Sequence, residues 1–186
     1  MDNKNISFKH KYTADFYRMT GIKDRNLVQN IFFFLKSHNL RFMYYYRKYQ
    51  SSKRLIFRLI LFFYSRKYGL EISPNANIDD GLYLGHPYNI TVAEGVEIGK
   101  NVNIHKGVTI GLESRGKRNG VPRIGNNVYV GINSTIAGKV RIGNDVMIAP
   151  NTFINFDVPS HSVVIGNPAI IHSKSFATES YVNFCV

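Results

Sequence analysis

From Ile124 to Ile154 an aliphatic side chain recurs at every sixth position: Ile124, Val130, Ile136, Ile142, Ile148 and Ile154. Each of the first five is followed by Gly or Ala. Four residues after each stands a small or β-branched residue: Val128, Ser134, Val140, Val146 or Thr152. A helix turns about 100° per residue, so six steps rotate it by roughly 240° and smear such a stripe over three sides. An extended chain alternates its side chains with a period of two, so every sixth one points the same way. Short strands joined by corners, all facing inward, form a β-solenoid.

The same frame starts earlier, at Ile72, Ile78 and Leu84. After a two-residue slip it resumes as Val92, Ile98, Ile104 and Ile110. The next member, Ile124, comes fourteen residues later, and the stretch 111–123 (GLESRGKRNGVPR) is polar and rich in Gly and Arg. It reads as a loop thrown out of one coil, and long loops on a regular scaffold tend to carry function. Beyond Ile154 the frame dissolves, and residues 174–186 read as a tail without assigned structure.

Residues 1–68 show no hexads. Aromatic clusters at Ile31–Leu35, Phe42–Tyr46 and Leu55–Phe57 alternate with Lys and Arg at helical spacing, with breaks expected at Thr20-Gly21 and Ser51-Ser52. Three units are therefore expected: a helical extension 1–68, a solenoid 69–173 with the loop 111–123, and a tail 174–186. Charge marks the same boundary. Residues 1–70 hold 15 Lys and Arg against 3 Asp and Glu, whereas residues 71–186 hold 9 of each, so the whole formal excess of +12 lies in the first segment. The bland function for that segment is to cap the open first coil. A compatible one adds peripheral contact with an anionic membrane. No nucleic-acid motif accompanies the charge, so no nucleic-acid partner is expected.

The single cysteine, Cys185, allows no disulfide within the chain, which fits a reducing cytoplasm. No apolar run reaches the roughly 18 residues of a membrane-spanning helix, and the N-terminus lacks the apolar core of a signal peptide. A cytoplasmic protein is expected, in peripheral contact with the inner membrane surface at most.

The segments GLEISPNANI, GLYLGHPYNI and NVNIHKGVTIG, the 111–123 loop and the ending DVPSHSVVIGNPA together resemble the hexapeptide-repeat acyltransferases. Within these they resemble the serine acetyltransferase branch, from about Tyr68 to Ser173. The resemblance implies a mainly β chain built as a left-handed parallel β-helix with three hexads per coil. It also implies a homotrimer with active sites in the grooves between subunits, and acetyl-CoA as acyl donor. The basic, aromatic front resembles that of related enzymes that O-acetylate sugars of cell-surface polysaccharides.

Acyl transfer from a thioester to a hydroxyl needs a base, a group to orient it, and donors for the oxyanion. Imidazole titrates near neutrality and suits the first role. Of six histidines, only His86 and His105 lie in well-framed coils before the loop. His86 stands in the slip after Leu84 and matches the family's catalytic histidine. Glu71, fifteen residues earlier, matches the acidic residue that orients it, where the family has Asp. His105 follows the inward Ile104 and is either a plain corner residue or a group near the acceptor. By position in the family, pantetheine would pass Gly111, Leu112, Gly131, Ile132, Ala149 and Pro150, small corner residues that plain turn geometry also explains. Lys117 and Arg123 of the loop would meet the coenzyme phosphates.

Three positions depart from the family. An acidic residue before the catalytic histidine is replaced by Gly85, and an Arg-His pair before the loop-closing proline by Gly120 and Val121. Those groups hold serine's charged ends, so their loss argues for a sugar or polysaccharide hydroxyl as acceptor, with serine the alternative. A metal-dependent hydratase on this fold would need a third closely spaced histidine, which the sequence lacks, so no metal is expected. A non-catalytic solenoid scaffold would have no reason to place His86 in a distorted coil.

Overall fold

The computed structural model describes residues 3–186, with side chains from residue 8 onward. Four helices come first: α1 (Asn3–Thr20), α2 (Leu27–Lys36), α3 (His38–Ser52) and α4 (Leu55–Tyr68). The expected break after Thr20 is observed. A capping box starts α2: Gln29 N–H donates to Asn26 Oδ1, and Asn26 N–H to Gln29 Oε1. The break at Ser37 between α2 and α3 carries no Gly or Pro, which is why composition did not show it. Gly69 ends α4 in the left-handed region at φ 66°. A side chain there would also strike Asn89, whose Oδ1 lies 2.4 Å from an ideal Cβ, so glycine is required twice over.

From Leu70 the chain winds as a parallel β-helix with three faces. The first face stacks β1 (Leu70–Ile72), β4 (Ile90–Val92), β7 (Thr109–Gly111), β10 (Thr135–Ala137) and β13 (Phe153–Ile154). The second stacks β2 (Asn77–Ile78), β5 (Glu97–Ile98), β8 (Arg123–Ile124) and β11 (Arg141–Ile142). The third stacks β3 (Tyr83–Gly85), β6 (Asn103–His105), β9 (Val128–Val130), β12 (Val146–Ile148) and β14 (Ser162–Gly166), closed by the antiparallel β15 (Ala169–Ser173). Every hexad aliphatic from Ile72 to Ile154 is buried in one continuous core. The polar members Ser134 and Thr152 are buried too, and satisfy themselves: Ser134 Oγ donates to Ala149 O at 2.8 Å, and Thr152 Oγ1 accepts from Gly166 N–H at 3.1 Å.

Register shows what the interruptions do. Regular coils repeat after eighteen residues, as Thr135 over Phe153 shows. Leu70 pairs with Ile90, twenty residues on, so the slip adds two residues at one corner. Ile110 pairs with Ile136, twenty-six residues on, so the loop adds eight. Both insertions are expelled at corners and leave the ladders in step.

The helices cap the first coil, as expected: Phe42, Met43, Tyr46 and Leu61 belong to the solenoid core. A buried ion pair fixes the cap. Arg47 Nε and Nη2 bond Asp15 Oδ2 and Oδ1 at 2.8 and 3.1 Å, with both side chains at most 1 % exposed. Arg47 also donates to Ile78 O and Asp79 O, both at 2.7 Å, and Asp15 Oδ1 accepts Leu82 N–H at 2.9 Å. Burial pushes the Asp15 carboxyl up, against the opposing pull of Arg47 and the Leu82 amide. One pair thus joins α1, α3 and the open end of the first coil.

The segment 174–186 is docked along the third face. Asp145 accepts from Ala177 N–H, Thr178 N–H and Thr178 Oγ1, and lies 2.8 Å from His161 Nδ1. Farther down, Asn103 Nδ2 donates to Tyr181 O, and Asn101 exchanges two hydrogen bonds with Val186. Ala177 and Val182 are buried beside these polar anchors, and Tyr181 packs on Tyr129 at 4.9 Å, but their spacing follows no hydrophobic period.

Two outcomes follow. Arg47→Ala leaves a buried carboxylate unpaired and is expected to cost about 3–5 kcal/mol in chemical denaturation. Burial raises the Asp145 pKa, but its hydrogen bonds to Thr178, His161 and the two backbone amides outweigh this and hold it below the ordinary carboxylate value. Its contribution to docking is therefore complete above the unfolded aspartate pKa and is lost as pH falls through the lower folded value. Hydrogen exchange at Ala177 and Thr178 should accelerate over that acidic window, and Asp145→Asn should abolish the pH dependence.

Candidate active site

The two-residue slip becomes the corner 86–89 between the third and first faces. His86 and Asn89 both take positive φ, 49° and 54°, and Tyr88 N–H donates to His86 O at 2.8 Å. The helical cap braces this corner. His38 stacks on Tyr68 at 4.5 Å, lies 5.1 Å from the Tyr88 ring, and its Nε2 is 3.4 Å from Pro87 O. Asn89 N–H donates to Tyr68 O. The His86 side chain stands exposed on this braced corner.

Hydrogen bonds stack this corner on the next ones: Gly107 N–H to Tyr88 O, Asn133 N–H to Lys106 O, and Asn151 N–H to Ile132 O. One edge of the prism therefore carries His86, Gly131-Ile132 and Ala149-Pro150 in line. Gly131 is needed there, because a Cβ would come within 2.7 Å of Pro150 N.

His105 sits above Gly85 in the ladder. A Cβ on residue 85 would fall 2.4 Å from His105 Nδ1, so the imidazole fills the space that any side chain at 85 would need. The His105 ring lies 4.7 Å from Tyr129, and its Nε2 is buried without a partner among the described residues. Burial, and secondarily the charge of His86, push its pKa down. The neutral form of the imidazole is thereby favoured beside the His86 corner. Its spacing in the sequence left its place open, since only the ladder reveals that it stands over Gly85.

Other candidate residues lie elsewhere on the chain. Glu71 is exposed on the first face, in a cavity of about 290 Å³ with Arg58, Phe62 and Ser65 of α4. Among the described residues no hydrogen bond or ion pair joins it to His86. Gly111 and Leu112 lie at the opposite edge of the first face, where the loop leaves. The loop folds on itself through paired bonds between Glu113 and Gly120 and through a short 3-10 turn, Gly116–Arg118. Lys117 and Arg123 line a cavity of about 730 Å³ over the second face with Lys139, Arg141, Glu97 and Asp157. Arg123 is 3.2 Å from Glu97. A single chain thus does not bring the basic loop to the His86 edge. Among the described residues no group of three or more His, Cys, Asp or Glu is placed to hold a metal.

The fold is a parallel β-solenoid built on a six-residue repeat, and residues 122–155 match the family described as bacterial transferase hexapeptide (six repeats). The chain is similar to serine acetyltransferases in particular. It is 35% identical over 137 residues to that of Staphylococcus aureus, covering 73% of this chain and 62% of the relative. It is 37% identical over 101 residues to that of Helicobacter pylori (54% and 59%), and 39% identical over 105 residues to serine acetyltransferase 2 of Arabidopsis thaliana (56% and 32%). The chain thus spans less than two thirds of the length of these relatives. Among solved structures, the soybean serine acetyltransferase apoenzyme superposes with a TM-score of 0.74 at 25% identity, covering 90% of this chain and 69% of that one. All of these names carry serine. The sugar or polysaccharide acceptor expected from Gly85, Gly120 and Val121 finds no support among them.

Gly85→Ala is expected to displace His105, at an overpacking cost of about 1–3 kcal/mol. The His105 ring resonances should shift, and His105→Ala in the same chain should recover most of the lost stability.

Proposed function

We propose that this chain transfers an acetyl group from acetyl-CoA to an acceptor hydroxyl, with His86 as general base. The observation that carries the reading is the display of His86 on the stacked edge shared with Gly131-Ile132 and Ala149-Pro150. The serine acetyltransferase likeness supports an acyl donor of this kind. His86 takes the hydroxyl proton as the oxygen attacks the thioester carbonyl. Backbone N–H groups of the edge stabilise the oxyanion, and the proton then passes to the leaving thiolate. In this reading Glu71, fifteen residues before His86, is the carboxylate that would steady the imidazolium. The loop cations Lys117 and Arg123, with Gly111-Leu112, lie away from the His86 edge, and the homotrimer that the family likeness implies would let one subunit's loop complete the neighbour's groove.

Serine is the acceptor the relatives support best. One observation favours the second reading, a sugar hydroxyl. His105 occupies the space beside His86 where a charged side chain at position 85 would stand, so a zwitterion loses that ionic contact.

Coenzyme A release tests both readings. His86→Ala should lower kcat by about 10²–10⁴-fold in a folded protein, and a fall of less than tenfold would refute its role as base. Glu71→Gln should lower kcat and move the pH profile, with KM nearly unchanged. L-Serine turned over at ordinary enzyme rates settles the acceptor as serine. Turnover with nucleotide sugars or polysaccharide fragments alone establishes the second reading.

A further inference from the structure

Two helices of the cap present apolar stripes to solvent. On α2 these are Leu27, Val28, Ile31, Phe32 and Leu35, and no residue of that helix is buried. On α4 they are Leu55, Ile56, Leu59, Phe62 and Phe63, at helical spacing on the side opposite the buried Leu61. Leu27 is 74% and Phe63 67% exposed. Arg41 ties the two helices as neighbours, donating from Nη1 to Phe34 O at 2.7 Å and from Nε to Tyr64 Oη at 3.3 Å. Soluble surfaces rarely leave two such apolar stripes open.

The charge around the stripes is one-sided. Between Asp24 and Glu71 the chain holds ten Lys and Arg and no Asp or Glu. Cations sit beside the exposed rings: Lys36 Nζ is 5.4 Å from the Phe32 ring centre, and Arg66 is 5.0 Å from that of Phe62. We propose that α2 and α4 form a docking surface for an anionic lipid bilayer, with the rings and aliphatics entering the acyl boundary and the cations holding headgroup phosphates. Charge complementarity selects this occupant. A second copy of the same face would set cations against cations, and between residues 25 and 71 only Glu71 could pair them. A nucleic acid would leave the apolar stripes without a partner. The helices lie along the surface: α4 has 14 residues, about 21 Å long, against the ~30 Å of a bilayer core. Among the described residues no helix is long and apolar enough to cross one.

Vesicle co-sedimentation of the full chain tests this. Binding is expected to phosphatidylcholine vesicles containing phosphatidylglycerol, at least tenfold stronger than to phosphatidylcholine alone, and weakened by salt. Ile56→Ser, Leu59→Ser and Phe63→Ser combined should reduce it at least tenfold, with circular dichroism and oligomeric mass unchanged. Arg54→Glu with Arg66→Glu should do the same at low salt. Equal binding to neutral vesicles, or binding untouched by either variant, would overturn the proposal. So would a fall in oligomeric mass in the serine variant, which would mean that a second copy covers the face.

Discussion

Each coil must set its side chains directly over those of the coil below, and the rest of the molecule answers to that constraint. The core is a stack of aliphatic layers one side chain thick, and a shift of one residue would turn a whole layer outward. Extra residues can enter only at corners. The chain uses this twice, adding two residues at 86–89 and eight at the loop. Regularity in the walls is what makes the corners free to carry chemistry. His86 can hold a positive φ because the ladders on both sides leave it no other course.

The constraint also creates a need at the ends. A first coil exposes its layer of aliphatics and the carbonyls at its open end, and the helical cap meets both. Phe42, Met43 and Tyr46 cover the layer, while Arg47 takes the carbonyls of Ile78 and Asp79. Arg47 is bearable in that buried place because Asp15 neutralises it and the Leu82 amide satisfies Asp15 in turn. The cap then reaches the site through His38 and Tyr68, which brace the His86 corner. Stability at the open end and the shape of the candidate active site thus rest on the same helices.

The hexads made the solenoid legible because a period of six has one structural meaning, and the slip and the loop were legible as breaks in it. Helix breaks were read at Thr20-Gly21 and Ser51-Ser52, where small residues stand, and missed at Ser37, which stands between longer side chains. The strap 174–186 was unreadable because Asp145, Asn103 and Asn101 hold it largely through backbone groups, and its buried Ala177 and Val182 follow no regular period. The site was legible in part. The place of His86 in the slip marked it, but the relation of His105 to Gly85 depends on two residues twenty positions apart meeting in the ladder. The separation of Lys117 and Arg123 from the His86 edge likewise depends on which corner the loop leaves, which spacing alone does not say.

The claim that the His86 edge is where acyl transfer occurs is tested most directly by a structure of the assembled protein with coenzyme A. The account predicts pantetheine running past Gly131-Ile132 and Ala149-Pro150, with its sulfur close to the His86 imidazole. Coenzyme A bound on the second face among Lys117, Arg123 and Lys139, with its thiol remote from every His86 in the assembly, would contradict it.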